Sequence, residues 1–278
     1  MEFCDRIDTF ISDSQVDKSY IIGVCVNLSG RINSKEGFSY NYFFKENRPL
    51  VEIISEKIGL PVYLENDTRA MTFGEYAQGV VEGEQDIIFL NYSWGVGIGI
   101  ITDGKLYYGK SGYSGEFGHS PLFDNEILCH CGKIGCLETE ASGWALVEQF
   151  KQALQDGRTS AIGIDSNASV IEQYHKILSG ALVKEDNLCI ELITRQSEIL
   201  GRALASLINV LNPELLIIGG DFSRLGDFVL LPIQSSLKKY SLGLVNRDVA
   251  MKKSILGRRA GVMGACRVIK EKLLTPLT

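Results

Sequence analysis

The run Cys129-His130-Cys131-Gly132-Lys133-Ile134-Gly135-Cys136 sets three thiols within eight positions, and His119 stands ten residues before the first of them. A structural zinc takes four nitrogen or sulfur ligands in a tetrahedron, so His119, Cys129, Cys131 and Cys136 meet its requirement in number and in kind. Gly132 and Gly135 permit the positive φ that a tight wrap around an ion demands. Without a metal, the same thiols read as small core residues, a role that unligated cysteine often fills. His130, between two candidate ligands, is expected to point outward. Cys4, Cys25, Cys189 and Cys266 stand singly in apolar surroundings and read as core.

The elements that must position this cluster alternate in type. Strand patterns, rich in β-branched and aromatic residues, cover Tyr20 to Leu28, Val62 to Glu65, Ile87 to Tyr92, Val96 to Ile101 and Leu215 to Ile218. Helical periodicity covers Leu50 to Ile58, Thr68 to Gln78, Ala145 to Leu154, Leu188 to Leu211 and Gly261 to Leu273. The longest of these aligns Ile193, Leu200, Leu204, Leu207, Ile208 and Leu211 in one stripe and must stop at Asn212-Pro213, because the residue before proline is pushed out of the helical region. The alternation predicts an α/β fold. Residues from about 157 to 186 form a polar, small-residue-rich insertion with helicity resuming inside it.

The chain has 278 residues, 45% of them hydrophobic and 22% charged, which excludes disorder as a description of the whole. No apolar run reaches the roughly 20 residues of a spanning helix, and the start lacks a signal peptide's pattern, so a cytoplasmic protein without membrane contact is expected. With 28 basic against 34 acidic residues the net charge is −6, a poor surface for neutralising phosphates of DNA.

Gly115-Glu116-Phe117-Gly118-His119, followed by the cysteine run continuing into Leu137-Glu138, resembles the signature of the ROK family of bacterial sugar kinases and sugar-responsive repressors. The likeness extends over Leu64-Glu65-Asn66-Asp67, the glycines at 95 to 99, and Asn212-Pro213-Glu214 leading to Gly219-Gly220. It implies an actin-like (ribonuclease H-like) two-lobed fold, with a partial first lobe at residues 1–84 and a second at 85–278. The second would carry a zinc loop at 115–140 beside a sugar in the cleft. A homo-dimer or tetramer is implied as well.

Telling one hexose epimer from another requires fixed donors and acceptors converging on the hydroxyls, a task for carboxylates, amides and imidazole. Glu116, His119 and Glu138 flank the cysteine run, and the resemblance implies that they bind sugar together with Asn66. A zinc-bound imidazole can present its second nitrogen to a hydroxyl while the metal fixes the ring. Asp67 matches the family's catalytic base, a carboxylate that accepts the sugar hydroxyl's proton as the oxygen attacks the γ-phosphorus of ATP. The plainer role for Asp67 is to N-cap the helix that follows. Glu65 reads as a solvated or packing residue, and Asn41, in a tyrosine-rich stretch, as an ordinary loop residue.

The phosphate machinery departs from the kinase pattern. The family's kinases begin with an Asp-x-Gly-x-Thr hairpin that this sequence lacks, so the first β-hairpin of the first lobe is expected to be missing. The second phosphate hairpin is usually Gly-Thr-Gly-x-Gly in the kinases; here it reads Ser93-Trp94-Gly95-Val96-Gly97. Gly95, Gly97, Gly219 and Gly220 remain candidates for nucleotide contact, although Gly219-Gly220 also reads as an ordinary strand-to-helix turn. Leu137-Glu138-Thr139 is similar to the repressor branch, of the xylose and N-acetylglucosamine repressor kind. The expectation is a sugar- or sugar-phosphate-binding effector domain of a transcriptional regulator, with DNA bound through an upstream domain. The rival is an ATP- and magnesium-dependent sugar kinase using Asp67, and a weaker third reading is a structural subunit that binds neither ligand.

Overall fold

The computed structural model describes residues 2–40, 47–163, 165 and 167–274, so Asn41 lies outside the described residues. In chain order the elements are α1 (Glu2–Asp13), β1 (Val24–Leu28), β2 (Ile32–Asn33), β3 (Phe38–Ser39), α2 (Leu50–Ile58), β4 (Val62–Asn66) and α3 (Asp67–Gln78). Then follow β5 (Ile87–Tyr92), β6 (Val96–Thr102), β7 (Lys105–Leu106), α4 (Gly143–Gln155), α5 (Val170–Lys184) and α6 (Asn187–Leu211). The remainder is β8 (Leu215–Gly219), α7 (Asp227–Tyr240), α8 (Gly243–Asp248), β9 (Ala250–Lys253) and α9 (Arg259–Leu274). The protein is α/β, divided into two compact units: residues 1–81, 106–114 and 258–278 form the first, and 82–105 with 115–257 the second.

In the first unit β1 lies parallel to β4, Val24 opposite Val62 and Leu28 opposite Asn66. The strand begins at Val24 and not at Tyr20, because Lys18–Tyr20 turns as a single 3-10 helix capped by the Asp17 side chain. Tyr20 and Ile22 remain exposed. Cys4, Val26, Ile54, Ile58 and Leu64 make the core beneath. On the other face α3 and α9 cross at very short range: a β-carbon on Gly264 would lie 1.8 Å from the Ala70 carbonyl oxygen, and one on Gly74 would lie 2.1 Å from that of Ala260. Only glycine allows two helix backbones to approach so closely.

The second unit is built on a five-stranded sheet in the order β7-β6-β5-β8-β9. β5 pairs antiparallel with β6 and parallel with β8, which in turn runs parallel to β9. β8 is buried throughout, as expected of a central parallel strand. α6 starts on Asp186, whose side chain accepts from the Cys189 N–H, and ends at Asn212 in the left-handed region, φ 43°, just ahead of Pro213. α5 begins in a capping box in which Ser169 and Glu172 satisfy each other's backbone donors. Its Tyr174, Ile177 and Ala181 join α4, α6 and the sheet in one core.

Candidate functional site

In the second unit the loop after β7 brings the four expected metal ligands together. The ligand atoms of His119, Cys129, Cys131 and Cys136 all lie within 4.8 Å of one another. The Cys131 and Cys136 sulfurs are 3.6 Å apart, and the Cys129 sulfur is 3.6 Å from His119 Nδ1. Thiolates about 2.3 Å from a tetrahedral zinc are separated by about 3.8 Å, so the donor set fits the ion in spacing as well as in chemistry. Burial pushes the Cys129 thiol up to about 12, and burial likewise raises Cys136. At Cys131 burial is outweighed by the Lys133 N–H and the neighbouring thiols, and that thiol falls below its ordinary value.

Local backbone builds this wrap. Gly132 and Gly135 both have positive φ, and Cys129 N–H donates to the Lys133 carbonyl. A 3-10 turn, Phe117–His119, carries the imidazole, and a second, Leu137–Thr139, carries Glu138. His119 Nε2, the nitrogen turned away from the thiols, is 3.6 Å from Glu116 Oε2. Glu138 is nearly buried; its Oε2 accepts the Val96 N–H at 2.9 Å and its Oε1 accepts from Trp144 Nε1 at 3.4 Å. His130 does not simply point away: its ring rests on Trp144 with centroids 4.8 Å apart. Trp144 therefore links the cysteine loop to the Glu138 carboxylate, a role nothing in the local sequence announced.

The same unit holds the two glycine turns. Gly97 pairs within the sheet opposite Asn91, and Gly95 closes the β5–β6 turn by accepting the Ser93 N–H. A β-carbon on Gly219 would strike the Phe89 ring at 2.2 Å, and one on Gly220, φ 82°, would lie 2.3 Å from the Tyr92 carbonyl oxygen. Close passage of these two turns requires glycine without any ligand. The Asp221 N–H donates to Ser93 Oγ at 3.0 Å. Trp94 meets Tyr174 edge-on at 5.6 Å, Tyr174 tilts against Phe222 at 5.8 Å, and Phe222 stacks on Tyr92 at 3.7 Å.

In the first unit Asn66 and Asp67 occupy the junction of β4 and α3. Asn66, not Asp67, is the N-cap: its Oδ1 accepts the Arg69 N–H at 3.0 Å, and its Nδ2 donates to the Gly30 carbonyl at 3.0 Å. Asp67 is the first helical residue, with Oδ1 accepting the Thr68 N–H at 2.7 Å. Glu65 is not solvated. It is wholly buried, paired with Arg69 at 2.7 Å, and accepts hydrogen bonds from Ser34 Oγ and the Tyr108 hydroxyl. Burial and this carboxylate together raise the Tyr108 hydroxyl pKa. Sequence reading missed Arg69, whose partners other than Glu65 and Asn66 lie far off in the chain; the signal available was an Arg four residues after a Glu at a strand-to-helix junction.

A family model described as the ROK family matches residues 2–272. Over 272 residues the chain is 30% identical to a glucokinase of Halalkalibacterium halodurans, covering 96% of this chain and 82% of that protein. It is 30% identical over 275 residues to a xylose repressor of Caldicellulosiruptor bescii, covering 98% of this chain and 68% of that protein. The solved structure of a ROK family transcriptional regulator, a homologue of the E. coli MLC protein, is similar with a TM-score of 0.82 and 28% identity, covering 97% of this chain and 67% of that one.

Proposed function

The chain belongs to the ROK family, with its actin-like sugar kinase fold, and on that premise we propose that it is the effector-binding part of a cytoplasmic transcriptional regulator that takes a sugar or sugar phosphate. The observation that carries this reading is that backbone N–H groups at the two glycine turns are spent on partners inside the protein. Kinases of this kind grip phosphate with free backbone N–H groups in glycine turns. Here Ser93 N–H is spent on Gly95, Val96 N–H on Glu138, and Asp221 N–H on Ser93 Oγ. The rings of Trp94, Tyr174, Phe222 and Tyr92 pack around the same turns.

In this reading Asn66, Asp67, Glu116, His119 and Glu138 are the residues that bind carbohydrate hydroxyls. Zinc on His119, Cys129, Cys131 and Cys136 would have no open coordination position and would serve to fix the imidazole. A ligand that prefers one of two conformations is enough to make a switch. DNA contact is assigned to a segment outside these 278 residues, and self-association to a dimer or tetramer.

The second reading, an ATP- and magnesium-dependent sugar kinase, is favoured by Asp67 at the first turn of α3 and by the likeness to a glucokinase. In it Asp67 is the base, and Gly95, Gly97, Gly219 and Gly220 contact nucleotide. Titration calorimetry of the zinc-replete protein with glucose, xylose and N-acetylglucosamine tests the regulator reading, which expects saturable binding of at least one. A coupled ATP-consumption assay of the natural gene product, with Asp67→Asn as control, separates the two. Sugar-dependent turnover that disappears in the variant would replace the regulator with the kinase.

A further inference from the structure

We infer that Arg69 is the positioning residue of the β4–α3 turn, holding Asn66 and Asp67 in register for sugar hydroxyls without touching the ligand itself; the inference rests on the sugar-binding reading above. The Arg69 side chain is 2% exposed and its partner Glu65 is fully buried. Its guanidinium gathers three separate pieces of the first unit. Nε donates to Glu65 Oε1 at 2.7 Å, and one terminal nitrogen donates to the Gly112 carbonyl. The other donates to the Ile32 carbonyl at 3.2 Å and to Ser34 Oγ at 3.1 Å. Its carbon lies 5.3 Å from the centre of the Tyr108 ring.

Glu65 completes the connection. The oxygen that receives Arg69 Nε also accepts the Asn66 N–H at 2.7 Å and the Ser34 hydroxyl at 2.9 Å. The backbone at the tip of β4 is thus bonded directly to the carboxylate that the guanidinium fixes. Arg69 also donates its own backbone N–H to Asn66 Oδ1, so the same residue sets the turn from both its main chain and its side chain. The planar fork of an arginine satisfies carbonyls and a carboxylate lying in different directions, whereas the single ammonium of lysine cannot. Stability alone does not demand this arrangement, since apolar residues of like volume often serve a core as well as a buried ion pair. Hydroxyl recognition does demand it, because acceptor geometry has to be held within about 0.5 Å.

The test uses the whole zinc-replete chain with the variants Arg69→Lys and Arg69→Gly. Calorimetry with glucose, mannose, galactose, xylose and N-acetylglucosamine reads affinity and epimer discrimination, and hydrogen exchange of the 65–69 backbone reads the turn in the absence of sugar. For Arg69→Lys, folded as judged by circular dichroism, a loss of tenfold or more in affinity, narrowed epimer ratios and faster exchange at Asn66 and Arg69 are expected. Added methylguanidinium is expected to restore affinity in Arg69→Gly, and methylammonium is not. A folded Arg69→Lys protein with unchanged affinity and epimer ratios overturns the positioning role, as does rescue of Arg69→Gly by both cations alike. Failure of the unaltered protein to bind any of the five sugars is a different result: it overturns the sugar-binding reading and this inference with it.

Discussion

On the proposal that His119, Cys129, Cys131 and Cys136 hold zinc, a chelator is expected to unfold the loop between β7 and α4 and that loop alone. The residues from 124 to 135 hold little apolar surface: Ile127, Leu128 and Ile134 are 43%, 68% and 57% exposed. Four backbone hydrogen bonds secure the segment, Leu122 and Phe123 to Gly135, Cys129 to Lys133, and Gly132 to Cys129. Asn125 adds three more through its amide: Nδ2 donates to Thr139 Oγ1 and Glu140 Oε1, and Oδ1 accepts the Ile127 N–H. At about 1 kcal/mol net each, these supply roughly 7 kcal/mol. Ordering a dozen residues costs at least about 12 kcal/mol in backbone entropy. The shortfall of about 5 kcal/mol lies within the roughly 10 kcal/mol or more that a structural zinc contributes. Trypsin should therefore spare Lys133 in zinc-replete protein and cut after it once a chelator has acted, with resistance returning on addition of Zn²⁺ but not Mg²⁺. Equal cleavage rates before and after chelation, with zinc content verified, would refute both the ligand assignment and the energy comparison.

Two further expectations concern stability. Asp186 is buried, and burial, which raises its pKa, is outweighed by hydrogen bonds from Cys189, Ala161 and Ser160, so its carboxyl lies below the ordinary 3.8. A depressed carboxyl stabilises fully above its unfolded value and loses that contribution as pH falls through the folded one. Asp186→Ala should therefore cost about 1–2 kcal/mol at pH 7, the worth of an N-cap, and progressively less as pH falls below 3.8; a loss of thermal stability that stays constant from pH 7 down through that range would exclude the carboxylate as the cause. Gly264→Ala should destabilise the first unit by about 1–3 kcal/mol or more, read in urea unfolding, because the new methyl group meets the Ala70 carbonyl; an unchanged midpoint would mean that α3 and α9 do not cross as described.

What the sequence disclosed was what is local. The four candidate ligands that the fold gathers lie between His119 and Cys136, so spacing and residue type already point to their closure. The stripe of α6 and its stop before Pro213 are likewise short-range facts. By contrast, Glu65 reads as an ordinary acidic residue beside a strand until Ser34 and Tyr108, 31 and 43 residues away, fold onto it. The capping position was misplaced by one residue, since Asn66 and Asp67 both suit it and only backbone geometry distinguishes them. α7 went unmarked because Pro232 sits inside it, where proline usually ends a helix. The linkage from His130 through Trp144 to Glu138 joins three elements, and no periodicity encodes it.

The embrace of α3 by α9 also orders events in time. During synthesis the whole stretch 115–257 is polymerised before the helix that must cover Gly74 has been made. Until that helix emerges the first unit waits, its α3 bare on one side. A stall or cleavage late in translation would therefore release a molecule with a finished sheet and metal loop but an unfinished partner, and such molecules would present the α3 face to proteases and chaperones.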